Sequence, residues 1–120
     1  MKYKRDRKEP FWWGLFSLGG VVAALLVPIH IFVAGLAVPL GLLDPEVLSY
    51  ESMRQLVANP WIKLYLFVLL ALPLYHAAHR IRFTLHELGL QKGGRLIAIL
   101  CYGGALIGTA FTAYILLHIL

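Results

Sequence analysis

Charge is scarce in this sequence: 14% of its 120 residues are Asp, Glu, Lys or Arg, while 60% are hydrophobic. Soluble domains carry about one quarter charged residues, so the composition does not suit a water-soluble globule. Cysteine is nearly absent. The lone Cys101 can form neither an internal disulfide nor a thiolate metal cluster, and its place inside an apolar run suits packing. No glycine-rich phosphate loop interrupts the chain. The long apolar runs hold no carboxylate, which removes the membrane-embedded acid that proton- or ion-coupled transporters use. Nor do the serine, histidine and carboxylate of a hydrolytic triad converge on any pair of helices.

What charge there is falls in three blocks. Seven charged residues lie between Lys2 and Glu9, five between Asp44 and Lys63, and five between Arg80 and Arg95. Uncharged runs separate and follow them: 34 residues from Pro10 to Leu43, 16 from Leu64 to His79 and 25 from Leu96 to Leu120. Each reads as a transmembrane helix. The expectation is an all-α integral membrane protein of one domain, residues 1–120, with spans near 12–40, 61–79 and 96–119. Segment 1–10 and a loop over 80–95 would lie outside the bilayer. The first run would make a helix of about 50 Å, longer than the roughly 30 Å hydrocarbon core, so it must tilt or end early. Pro39, Gly41 and Asp44-Pro45 mark its exit, and Trp12 and Trp13 sit where interfacial aromatics anchor its start. Asn59-Pro60 is a cap followed by a proline suited to the first helical turn, Lys63 can snorkel, and Pro73 is placed to kink the second span. In the third span, Gly104 and Gly108 have the four-residue spacing that admits a close neighbouring helix.

Lysine and arginine set the orientation, because positively charged loops stay in the cytoplasm. The amino-terminal block has five basic and two acidic residues, and the second loop sets Arg80, Arg82, Lys92 and Arg95 against Glu87. The first loop instead sets Asp44, Glu46 and Glu51 against Arg54 and Lys63. The amino terminus is therefore expected inside and the carboxyl terminus outside. The net charge of +5 becomes a juxtamembrane charge facing anionic lipid, not a nucleic-acid surface. A cleavable signal peptide is not expected, since the first span is too long and lacks a small-residue cleavage site.

This topology brings Trp12, Trp13, Phe16 and Ser17 of the first span to the depth of His76, His79, Arg80 and Phe83 of the second. His76, His79 or Arg80, Phe83 and His86 follow three- and four-residue spacing, which makes one stripe of that helix polar and aromatic. Singly, the tryptophans read as belt anchors and Arg80 as a positive-inside stop. Together, an indole donor, an imidazole and a guanidinium can surround the oxygens of a redox ring. Arg80 and His79 suit the negative charge that develops on such an oxygen, and Trp13 can hold an oxygen in place. Arg82, some 200° around the helix from Arg80, is expected to serve topology alone. The chain lacks the cysteine clusters that bind iron–sulfur centres, so a partner must pass electrons onward.

Glu9-Pro10-Phe11-Trp12-Trp13-Gly14-Leu15-Phe16 with Gly19-Gly20, the Pro39-Leu40-Gly41 exit, Leu48-Ser49-Tyr50-Glu51, and His79-Arg80 followed by His86 resemble the D subunit of bacterial fumarate reductase. In that family it is the smaller of two hydrophobic anchors. The resemblance follows span order over almost the whole chain, in the third span by hydropathy only. It implies a non-catalytic, multi-pass anchor in the bacterial inner membrane, assembled with a second anchor (the C subunit), an iron–sulfur protein and a flavoprotein carrying FAD. Menaquinol would be oxidised near the cytoplasmic face and fumarate reduced in the flavoprotein. The resemblance further implies that Trp13, Phe16, His79 and Arg80 line the quinone pocket, with Ser17 beside Phe16 where the best-known members have glycine.

Two other readings stay open. His30 lies about 26 Å along the first helix from Trp13 and His118 about 33 Å along the third from Leu96, so both fall in the outer half of the membrane. Such a pair could ligate a haem, as in the anchors of haem-containing succinate dehydrogenases, although the resemblance implies no haem. A small pore or multidrug-type transporter is opposed by the lack of a central carboxylate, the charge-free carboxyl terminus and the odd number of spans. The same pocket would serve succinate oxidation as well as fumarate reduction, and ring contacts do not specify the quinone.

Overall fold

A computed structural model describes residues 9–120, apart from the side chains of Glu9 and Trp12. The expected anchoring role of Trp12 and the basic segment before Glu9 lie outside the described residues. Proline and glycine shape the first rod. Helix α1 (Glu9–Leu25) is followed by α2 (Val27–Phe32) and a π-helical turn, Val33–Ala37. The interruption sits beside Pro28, which has no N–H to bond the carbonyl four residues back. Gly41 then adopts a left-handed φ of 77°. Leu42 N–H donates to Ala37 O at 2.8 Å and Gly41 N–H to Val38 O at 3.0 Å, closing the rod as a Schellman motif. It ends where Pro39 and Gly41 predict.

The first loop contains structure that the hydropathy pattern does not reveal. The Asp44 side chain accepts from Glu46 N–H at 2.9 Å and starts a 3-10 turn, Pro45–Leu48. Ser49 accepts from Ser52 N–H at 3.2 Å and caps a short helix, α3 (Tyr50–Val57). Asn59 in turn accepts from Trp61 N–H at 2.9 Å at the start of α4 (Pro60–Glu87), as the Asn-Pro pair suggests.

Helix α4 does not stop at residue 79. The segment 80–87, expected as loop, continues the helix to Glu87, because charge decides where a helix leaves lipid but not where its backbone bonds end. The end comes at Gly89 (φ 99°), where Leu90 N–H donates to Leu85 O and Gly89 N–H to His86 O, both at 3.1 Å. This is a second Schellman motif. At 1.5 Å per residue the 28-residue helix is about 42 Å long, longer than the roughly 30 Å core. After Gly93 (φ 84°) comes α5 (Gly94–Tyr114), which finishes in a π-helical turn, Ile115–Ile119.

Helix α4 packs against both α1 and α5 and forms the middle of the bundle. Small residues allow the close approach. A Cβ on Gly19 would press on the Leu72 carbonyl and come within 2.8 Å of His76 Cβ, and one on Gly108 would lie 2.9 Å from Leu74. Gly104 has nothing within 4 Å of such an atom, so among the described residues Gly108 alone of the pair meets another helix. Ala71, Ala78 and Ala105 are buried along the same contacts, and Cys101 is half-buried. Among the described residues three segments are long and apolar enough to cross a membrane, Trp13–Ala37, Pro60–Glu87 and Gly94–Ile119, and only 6%, 11% and 6% of their most apolar windows are buried. Their remaining surface is therefore left for lipid or partner helices. Thr109 and Thr112 hydroxyls donate to Ala105 O and Gly108 O at 2.8 Å, which satisfies them without water.

Candidate functional site

The close approach at Gly19 carries Trp13 and Phe16, near the start of α1, onto the far end of α4. Phe16 stacks on His76 with ring centroids 4.2 Å apart and planes within 13°. His76 Nδ1 stands 2.8 Å from Phe16 O. A carbonyl can only accept, so His76 carries a proton on Nδ1. His79 is the centre of the cluster: the ring centroids of Phe83, Phe16 and Trp13 lie 4.6, 4.8 and 5.3 Å from its own. Trp13 meets Phe16 edge-on at 5.9 Å and is itself 50% exposed, so one side of the cluster is open.

Helix α5 closes the other side with Tyr102. Its hydroxyl lies 2.8 Å from His79 Nδ1 and accepts from Arg82 Nη1 at 3.4 Å. The Arg82 guanidinium also stands 5.5 Å from the ring centroids of both Phe83 and Tyr102, within cation–π range. The opposite nitrogen of His79, Nε2, is buried and has no hydrogen-bond partner among the described residues. Leaving such a group unpaired costs about 1–3 kcal/mol, and an orphan of this kind marks a place where a ligand or partner atom fits. Arg82, Phe83, His86, Leu90, Gln91, Gly94 and Ile97 line a pocket of ≈ 230 Å³. The pocket shares Phe83 and Arg82 with the cluster around His79.

Of the residues singled out from the sequence, Trp13, Phe16 and His79 meet, together with His76 and Phe83 of the polar stripe. Ser17 and Arg80 are not drawn into the cluster; Ser17 is exposed, and so is Arg80. Arg80 lies about 100° around α4 from His79, whereas Arg82, three residues on, returns to within about 60° of it. The arginine expected to serve topology alone is therefore the one that stands against Tyr102. Sequence spacing does not point to Tyr102. Its signal is faint: a phenol about 12 Å into the third span, at a depth that can face the histidine stripe. His30 and His118 lie elsewhere. His30 Nε2 is 2.7 Å from the Tyr65 hydroxyl, and His118 packs on Tyr114 of its own helix with centroids 5.1 Å apart.

The family model described as the D subunit of fumarate reductase matches residues 3–117. The chain belongs to this fumarate reductase D-subunit family. The fumarate reductase D subunit of Mycobacterium tuberculosis (strain H37Rv) is 46% identical over 115 residues, covering 95% of this chain and 90% of that one. That of Photobacterium profundum is 41% identical over 104 residues, 85% of this chain and 84% of its own. Family membership and three membrane-crossing helices together make the chain a multi-pass membrane protein and an anchor within a larger oxidoreductase complex. The resemblance carried by the Trp-Gly-Leu-Phe start and the His79-Arg80 pair is borne out at this level.

Proposed function

We propose that this chain attaches a flavoprotein and an iron–sulfur protein to the bacterial inner membrane beside a second anchor, the C subunit of the complex. The rings around His79 form part of the site where menaquinol is oxidised at the cytoplasmic face. The observation that carries this reading is the buried, unpartnered Nε2 of His79, surrounded by Phe16, Phe83 and Trp13. Aromatic walls suit a flat ring, and the few polar atoms among them, His79 Nε2 and the Trp13 indole N–H, suit its oxygens.

Oxidising a quinol releases two electrons and two protons. Here His79 and the Trp13 indole hold ring oxygens in place, while Phe16 and Phe83 take the apolar body and exclude water. Negative charge developing on an oxygen is met by His79 and, from the exposed flank, by Arg80. FAD and the iron–sulfur clusters belong to the partners, to which the two electrons pass, the two protons pass to water at the cytoplasmic face, and this chain performs no fumarate chemistry itself.

The test compares two electron donors on the intact complex. His79→Ala should lower quinol-driven fumarate reduction about ten- to a hundred-fold, while reduction by a soluble viologen dye, which bypasses the membrane site, stays near the native rate. Equal loss of both activities would assign His79 to assembly.

A further inference from the structure

The two ring nitrogens of His79 stand in different surroundings: Nδ1 is 2.8 Å from the Tyr102 hydroxyl, and Nε2 is buried with no partner among the described residues. Arg82 can only donate, so the Tyr102 oxygen accepts from Nη1 at 3.4 Å. Tyr102 has a single proton of its own to give, and His79 Nδ1 lies 2.8 Å away. When Tyr102 donates to Nδ1, the imidazole proton is left on Nε2, the buried nitrogen without a partner among the described residues. His76, three residues earlier on α4, holds its proton on the other nitrogen because it faces the Phe16 carbonyl. With Tyr102 as the donor, the two neighbouring histidines take opposite tautomers.

We propose that Tyr102, oriented by Arg82, is a positioning residue that holds His79 as the Nε2–H tautomer, so that the ring presents a hydrogen-bond donor to a quinol oxygen. This rests on the quinol reading of the site and deepens it. A donor there gains strength as charge builds on the oxygen during oxidation, and with Nε2 already protonated the hydroxyl proton passes to water at the open side of the cluster and not to His79. Arg82 and Tyr102 therefore act on turnover without touching the ring that reacts. Phe83 is in contact with His79, Trp13 and the Arg82 guanidinium.

The test uses the intact complex and the same pair of donors. Tyr102→Phe should lower quinol-driven turnover roughly ten-fold, a misplaced tautomer being costly in catalysis, with viologen-driven reduction unchanged. In a His79→Gln background, where the amide nitrogen supplies a donor that needs no tautomer choice, the same Tyr102→Phe change should cost less than about two-fold. Equal losses in both backgrounds, or no loss with His79 present, overturn the inference. The tautomer is also read directly by nitrogen NMR of histidine-labelled complex, with the His79 signal assigned by its absence from His79→Ala. A protonated Nε2 that shifts toward Nδ1 in Tyr102→Phe supports the inference, and a protonated Nδ1 in the native complex overturns it. Failure of the underlying reading looks different: His79→Ala would then retain full quinol activity, or lose quinol- and dye-driven activity equally.

Discussion

Two arginines two residues apart make separable claims. Arg82 stands against the Tyr102 and Phe83 rings, so Arg82→Leu should slow quinol-driven turnover several-fold, and this loss should vanish in a His79→Gln background. Arg80 is exposed and lies outside the ring cluster. Its substitution leaves the cluster intact, and Arg80→Leu should cost about ten-fold in quinol-driven rate if the guanidinium meets developing charge from the open flank. Dye-driven and quinol-driven rates falling together in Arg80→Leu would reduce that residue to a positive-inside charge. Spacing alone makes His79 and Arg80 look like a unit, and the packing divides them because successive helical residues point about 100° apart. At the other end of the bundle His30 is bonded to Tyr65 at 2.7 Å. Spectra of the dithionite-reduced complex are expected to lack a b-type haem band. A band that disappears in His30→Ala or His118→Ala would move the protein toward the haem-bearing anchors.

At the scale of elements, the site depends on how close α1 comes to α4. Gly19 faces the Leu72 backbone carbonyl and His76 Cβ, neither of which can swing aside as the end of a flexible side chain can. Gly19→Ala should therefore destabilise the complex by about 1–3 kcal/mol and displace Trp13 and Phe16 from His79. Thermal inactivation of quinol activity is the measurement, and an unchanged midpoint would show that the helices have room to spare. Gly104 is the contrast, with nothing within 4 Å of an added Cβ. If Gly104→Ala alone lowers recovery of assembled complex, that face of α5 seats a partner helix. The helix ends are mostly legible in the sequence, at Asn59-Pro60 and Pro39-Leu40-Gly41, because caps and breakers act within a few residues. The continuation of α4 through Arg80 and Arg82 is not, since charges there mimic a loop.

For the whole molecule, many large apolar side chains are exposed within the chain alone, and this has a direct consequence for handling. The protein is expected to purify in equal copy number with a second three-span anchor and the two soluble proteins of the complex, and a stable iron-free homodimer would contradict that. Orientation is checked by cysteine labelling. An impermeant maleimide applied from outside to intact membrane vesicles of native sidedness should modify Glu51→Cys, on α3 of the first loop, and should reach Lys92→Cys only after permeabilisation. The opposite pattern would invert the positive-inside assignment.

The number of spans, their order, the capped start of α4 and the family were determined by the sequence itself, because each depends on composition or on neighbours a few residues apart. Lipid solvation requires long uncharged runs, and breakers act locally whatever the rest of the chain does. Only tertiary structure decided that Arg82 rather than Arg80 turns toward Tyr102, that Gly108 rather than Gly104 admits α4, and that Tyr102 completes the cluster. These depend on the rotation of three helices about their own axes. In a membrane, an apolar surface can turn toward lipid or toward a neighbouring helix at little difference in solvation, so the rotation is set by shape and by a few hydrogen bonds. Neither leaves a periodic mark in the chain.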